Sequence, residues 1–413
     1  MHTVSQSDLS ILRDLARVQM EIAKSPETDI LKREWYEHGD LKGKRPMITV
    51  ELGTFADDIL PAMLDCEGAE ARELEKTLRS NIITHTVFGD DTVVRDHFPI
   101  GRFYYFRPFG LDVKVERSPD TLGHHFVPQI EDFKDDFHKL GASTFGNDDE
   151  AMKSCKSYID ELIGDILPTK LVGRSLYSVP TQDMVHVMSM ETMYFAMYDY
   201  PDLFHKAMES LSDDYLALFD FLSENGLMDE TTGDQWLGNG TFCFTNELPK
   251  TKEGTFTSND IWGFCDSQET AGISADMYKE FIWPYYKKIA DRYGLLSYGC
   301  CEAVDPIWDT CLGTQENLRK VSISAWCNEN FMGERLRGSC TIYHRKPSPN
   351  FLGLGGELDC EAVRKHIRTT LYAAKGCKIE FTQRDVYQVG KSPEKVKKYV
   401  DIIRQECEDN YKY

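Results

Sequence analysis

Apolar and polar positions change period several times along this chain. Residues 7–24 carry apolar side chains at helical spacing, with Ser7 or Asp8 as the cap. A second short helix is predicted over 31–38. Residues 46–50 then form a short β-rich run, followed by a glycine and a helical stretch through Leu64. Residues 69–79 read as a charged helix, 92–95 and 102–106 as strands, and 147–167 as a helix ending near Pro168.

The second half is more regular. Helices are predicted over 181–198 and 201–225, with a strand inside 229–238 that ends at Asp234-Gln235-Trp236. Strand 259–265 ends in Asp266-Ser267-Gln268-Glu269. A helix over 274–293 then leads to strand 295–300. Residues 314–319 read as helical, and 320–326 (KVSISAW) alternate as a strand. Strand 341–345, helix 360–374, a last strand beginning at 378–381 and a closing helix over 392–409 complete the pattern. Strands alternating with helices of 10–20 residues imply parallel strands joined by right-handed crossovers. The fold class expected is α/β: one (β/α)8 TIM barrel over residues 1–413, with residues 1–45 as an N-terminal helical extension. A doubly wound sheet that binds nucleotides is disfavoured, since neither GxGxxG nor GxxxxGK[ST] occurs.

Charge and cysteine usage narrow the function. Lys and Arg number 47 against 68 Asp and Glu, a net charge of −21. That argues against nucleic acid and against an anionic membrane surface. The start MHTVSQSDLSILRDL lacks a basic segment followed by an apolar stretch, and no apolar run reaches a membrane span, so a cytoplasmic protein is expected. The 12 Cys are then expected as reduced thiols.

In a barrel, chemistry gathers where strands end. Four such ends are rich here: Asp234 to Trp236, Cys265 to Glu269, Tyr298 to Glu302, and His344 through Lys346. Asp385, on or just after the last strand, joins them. The sharpest end is Tyr298-Gly299-Cys300-Cys301-Glu302, two thiols and a carboxylate of the kind zinc accepts. On a regular strand Cys300 and Glu302 would share one face and Cys301 the other, so only a break lets both thiols meet one centre. Two packed, inert thiols are the alternative. Asp266 and Glu269 are candidates for general base, metal ligand or substrate acceptor, or else helix-start acids. His344 is a candidate metal ligand or proton donor, or else a satisfied histidine under a loop. Asp234 and Trp236 are candidates to hold and stack a substrate ring, with Gln268 and Tyr298 beside it. His124-His125 is expected in a polar loop segment, with a structural or surface role, and 131–139 is expected as a solvated helix face.

At these residues the chain resembles the uroporphyrinogen-decarboxylase-like superfamily. The resemblance spans nearly the whole chain and is clearest over 259–405. It is carried by GFCDSQETAGISADMYKEFIWPYYKKI, YGCCEAVDPIWD, KVSISAW, KPSPN and the helix after SPEKV. It implies a single (β/α)8 barrel, often dimeric. The decarboxylase branch binds its substrate through a Pro-x-Trp segment followed by paired arginines, and this chain reads Arg45-Pro46-Met47-Ile48 instead. The methyltransferase branch is closer. Its members move a methyl group between a small donor or thiol and a corrinoid protein, on zinc held by His-x-Cys and a Cys near the last strand. The matching stretch here is Tyr298-Gly299-Cys300-Cys301, without the His. Cys377 precedes the last strand and Cys407 lies in the closing helix. Cys300 and Cys301, with Glu302 or Asp385 as substitutes, are therefore the ligands the resemblance implies. The expected function is zinc-assisted methyl transfer to or from a corrinoid on a partner protein, with Asp266, Gln268 and Glu269 orienting a small donor such as a methyl ether. The alternatives are a metal-free decarboxylase with an arginine pair at the mouth, drawn from Arg102 and Arg107, and a binding barrel without catalysis.

Overall fold

A computed structural model describes residues 4–117, 123–251 and 253–412. Thirteen strands are present among them. In chain order they are β1 (Met47–Val50), β2 (Phe98–Gly101), β3 (Tyr104–Arg107), β4 (Val115–Arg117), β5 (His124–Phe126), β6 (Thr144–Asn147) and β7 (Thr169–Val172). There follow β8 (Leu176–Ser178), β9 (Trp262–Cys265), β10 (Leu295–Tyr298), β11 (Leu318–Ile323), β12 (Ile342–Arg345) and β13 (Ile379–Gln383). Seven of them form one parallel sheet in the order β1-β13-β12-β11-β10-β9-β8. Helices in the intervening segments cover its outer side, the arrangement that short parallel strands require.

The ladders do not close a ring. β2 pairs in parallel with β7, just before β8, but not with β1. The free edge of β1 is satisfied by two aspartates. Ile48 N–H donates to Asp91 Oδ2 at 2.8 Å and Val50 N–H to Asp90 Oδ2 at 2.9 Å. Burial pushes the Asp90 carboxyl up to about 7, against the pull of its hydrogen bonds from Thr92 and Val50. Asp91 is tied by Arg45 and Arg404.

The strand interiors read as an inverted pattern. Outward side chains are apolar: Val50, Cys265, Leu296, Tyr298, Val321, Ile323, Tyr343 and Phe381 all belong to the main core cluster. The alternate, lumen-facing side chains are largely polar: Thr49, Lys320, Ser322, His344, Glu380 and Thr382. A chain segment fills this polar lumen. Residues 236–242, closed by the antiparallel bridge Trp236–Phe242, turn into it. Gly240, at φ +89°, passes so close that a Cβ there would lie 2.0 Å from Thr382 Cγ2. Its carbonyl accepts from Thr49 Oγ1 at 2.8 Å, and Thr241 Oγ1 donates to Glu380 Oε2 at 2.5 Å. Lys320 Nζ donates to Glu380 Oε1 at 2.7 Å and to the Phe242 carbonyl at 2.9 Å. Burial alone would push the Glu380 carboxyl up, but Lys320 and His38 hold it well below the usual range. His38 arrives on the second N-terminal helix, Pro26–Gly39, capped by Ser25. The N-terminal helices therefore close the lumen from below.

Several local expectations are corrected. Residues 92–95 are not a strand, because Asp90 to Thr92 serve as the cap of the β1 edge. β3 pairs antiparallel with β6, apart from the main sheet. Residues 131–139 contain only the 3-10 turn Phe137–Lys139 and no longer helix. The predicted helix over 181–198 is two, Pro180–Val187 and Met190–Asp199, the second capped by Ser189. Residues 314–319 run into β11, not a helix. The expected strand within 229–238 is the lumen loop. His124 and His125 are exposed, as expected.

The lumen ion pair yields a stability prediction. Lys320→Met strands a carboxylate in a sealed interior, a loss of about 3–5 kcal/mol. Urea denaturation of Lys320→Met and of Lys320→Met with Glu380→Leu measures it; the double substitution should recover most of the loss.

Candidate active site

The lumen alternation continues past the strand ends. One step above Thr49, Phe264, Ser322, His344 and Thr382 come Glu51, Asp266, Ser324, Lys346 and Arg384. A cavity of about 690 Å³ opens at this end, lined among others by Gln268, Cys300, Cys301, Lys346, Arg384 and Asp385. Trp326, 79 % exposed, and Tyr387, 56 % exposed, stand at its rim.

Both thiols reach the cavity because the backbone breaks at Gly299, whose φ is +99°. The two sulfurs lie 3.7 Å apart. Cys301 donates to Asp385 Oδ2 at 3.1 Å. Asp385 can turn back onto that thiol because its own φ is +57°, ending the extended run of β13. Arg384 Nη1 donates to Cys300 Sγ at 3.4 Å and also to Asn239 Oδ1 of the lumen loop. Its Nε lies 3.1 Å from Glu51 Oε2 and its Nη2 3.3 Å from Asp385 Oδ1. Lys346 is buried but lines the cavity. Burial and Arg384 lower its ammonium to about 8.

These neighbours divide the two thiols. The contact with the Cys301 sulfur, with the charges of Lys346 and Arg384, lowers Cys300 against the opposing effect of burial. The same contact, burial and Asp385 push Cys301 far up. Cys300 is thus the more acidic sulfur of the pair and Cys301 the less acidic.

The other candidates divide between this cavity and elsewhere. Gln268 lines it. Asp266 is buried and does not line it; burial, then Glu302, Cys300 and Glu269, push its carboxyl well above the usual range. Glu269 lies behind it, accepting from Thr181 Oγ1 at 3.0 Å, and burial pushes it up too. The remaining expected site residues lie elsewhere. Glu302, a proposed metal ligand, is a backbone brace: it accepts from Ser267 N–H at 3.1 Å and Cys300 N–H at 2.8 Å. Tyr298 points outward, its hydroxyl 2.6 Å from those of Ser267 and Tyr278, because it is one residue out of phase with the lumen positions. His344 lies one layer down, sealed in the lumen, with Nε2 on Thr382 Oγ1 at 2.8 Å. Burial and Lys346 keep it neutral. Asp234 lies by Arg95 in a separate cavity, and Trp236 lines a third beside β1. Arg102 and Arg107 pair with Asp229 and Asp112 and do not line the thiol cavity. Cys377 and Cys407 are packed in the core.

The residues that sequence reasoning passed over are Arg384, Ser324, Trp326, Tyr387 and Asn239. Arg384 was within reach: Glu380, Thr382 and Arg384 share the two-residue period. Asn239 was not, since it belongs to the loop threaded into the lumen. Among the described residues, no group of three or more His, Cys, Asp or Glu side chains is arranged as a ready metal centre. No helix among them is long and apolar enough to cross a membrane.

No family model matches this chain, and no curated protein is similar to it. Solved structures do match. One is a methyltransferase from Methanosarcina mazei, 12% identical, with a TM-score of 0.50 over 92% of this chain and 98% of that chain. At that identity the likeness is one of fold.

Alkylation kinetics check the division of the thiols. Iodoacetamide should label Cys300 before Cys301, with an apparent pKa below the ordinary thiol value, and Lys346→Met should raise that pKa. Peptide mass spectrometry across a pH series reads both.

Proposed function

We propose that this chain is a methyltransferase of the uroporphyrinogen-decarboxylase-like kind, built on a variant (β/α)8 barrel. It moves a methyl group between a small methylated donor, or a thiol, and a corrinoid carried by a partner protein. The observation that carries the reading is the meeting of Cys300, Cys301, Asp385, Arg384 and Lys346 on one cavity at the strand ends. The similar fold of a solved methyltransferase agrees with it.

The sulfur pair has the spacing that zinc would need. Two thiolates about 2.3 Å from a tetrahedral zinc stand about 3.8 Å apart. The sulfurs here are 3.7 Å apart. Cys300 and Cys301 would hold the ion, with Asp385 as the oxygen donor once it releases the Cys301 thiol. When bound, zinc would supply Lewis acidity to a leaving oxygen or to a thiol acceptor.

The chain's own residues do the rest. Arg384 and Lys346 hold negative charge at Cys300. Asp385 fixes Cys301 and accepts its proton's hydrogen bond. Glu302 locks the 299–302 turn to the loop after β9, so the thiols keep one orientation. Gln268 contacts the donor from the wall, with Asp266 buried outside the lining. Trp326 and Tyr387, exposed at the rim, are placed to cover it.

Transfer from a panel of methylated donors to reduced cobalamin or to thiols, run beside metal analysis of the purified protein, tests the reading. Cys300→Ala and Cys301→Ala should each lower transfer roughly a hundredfold or more. Asp385→Asn should cost about 10- to 100-fold in activity or metal affinity. Unchanged transfer in both cysteine variants, with no metal in the native protein, contradicts the proposal.

A further inference from the structure

The thiol cavity holds one cation with donors to spare. Lys346 is buried yet lines the cavity, and its ammonium has one hydrogen bond among the described residues, a long one of 3.4 Å to the Gly299 carbonyl. An ammonium has three donors, so two remain for whatever enters. The strand period puts it there. Ser322 and His344 face the lumen one layer down, and Ser324 and Lys346 follow two residues on, at the cavity wall.

No other group on that wall is as free to give up a proton. Histidine is absent from the described residues that line the cavity, and His344 is sealed beneath it with Nε2 on Thr382 Oγ1. Arg384 is engaged by Glu51, Asn239 and Asp385, and a guanidinium does not deprotonate in proteins. The Cys301 thiol already donates to Asp385, and Cys300 meets Cys301 and Arg384. Tyr387 stands exposed at the rim. Burial and Arg384 lower the Lys346 ammonium to about 8, so it parts with a proton more readily than a lysine in water.

We propose that Lys346 is a catalytic residue, the general acid that protonates the leaving oxygen of a methyl ether donor. The inference rests on the methyltransferase reading and narrows its donor to ethers whose oxygen would otherwise leave as a strong base. When the CH3–O bond breaks, its electron pair stays on oxygen. One Lys346 N–H proton passes to that oxygen, so an alcohol or phenol leaves and a neutral amine remains. The methyl carbon bonds to the electron pair of the attacking thiolate or reduced cobalt, and water returns a proton to the amine. The spare donors suit the step. One N–H stays on the Gly299 carbonyl and orients the head, while another addresses the oxygen.

Single-turnover methyl transfer from two ethers to reduced cobalamin, run on the full chain, tests this. The donor para-methylanisole releases a strongly basic phenolate, and para-nitroanisole a weakly basic one that needs little help from an acid. Lys346→Met should slow the first roughly a hundredfold or more and the second roughly tenfold at most, the span that a positioned acid covers. Lys346→Arg keeps the charge without a transferable proton, and should slow the two donors in the same unequal way. Losing Lys346 also disturbs Cys300, but that change slows both donors alike. If a variant fails to fold, wild-type rates in heavy water decide: transfer from para-methylanisole should slow and transfer from para-nitroanisole should not. Equal slowing of both donors, full activity in Lys346→Arg, or transfer from methylated amines or thioethers alone overturns the inference and leaves the methyltransferase standing. No transfer from any donor removes the methyltransferase reading, and the inference with it.

Discussion

The site depends on two interruptions of a period of two. A strand shows alternate side chains to opposite faces, so adjacent cysteines on a regular β10 would point into the lumen and into the helix layer. Gly299, in the left-handed region, turns the backbone and delivers both sulfurs to the mouth. On β13 the same device at Asp385 lets it and Arg384 address the thiol pair from one strand end. Without these two turns the chain would have the same sheet and no cluster.

The cluster also needs a floor. A lumen lined by Lys320, His344, Glu380 and three hydroxyl residues would flood if it were open. The 236–242 loop and His38 occupy it, and the charged groups pair with each other instead of with water. The filled lumen is why His344 is unavailable to substrate while Lys346, two residues on, is available. It also ties floor to mouth, since Asn239 of the same loop accepts from Arg384 and its amide donates to the Gly299 carbonyl at 2.9 Å. Stability and chemistry share one polar column through the sheet.

Much of this was legible in the sequence, because it follows from period and composition. The alternation in KVSISAW places Val321 and Ile323 outward and Lys320 and Ser322 inward, as the structure has them. The run Cys300-Cys301-Glu302 marked the mouth. What could not be read was long-range. Nothing local says that Asp90 and Asp91 replace a strand at the β1 edge, or that a loop expected as a strand threads the lumen. Tyr298 and Glu302 were misassigned for a shorter-range reason: the turn at Gly299 changes phase between them. Tyr298 keeps the outward phase of β10, and Glu302 folds back onto the amides of the turn that it stabilises.

The central claim is that two adjacent thiols face one cavity from a broken strand end. A trivalent arsenical such as phenylarsine oxide bridges two thiols only when both sulfurs can reach one atom. Native mass spectrometry should find one arsenical per chain, resistant to a monothiol competitor and lost in both Cys300→Ala and Cys301→Ala. An adduct that survives either substitution, or none at all on the folded chain, would contradict it.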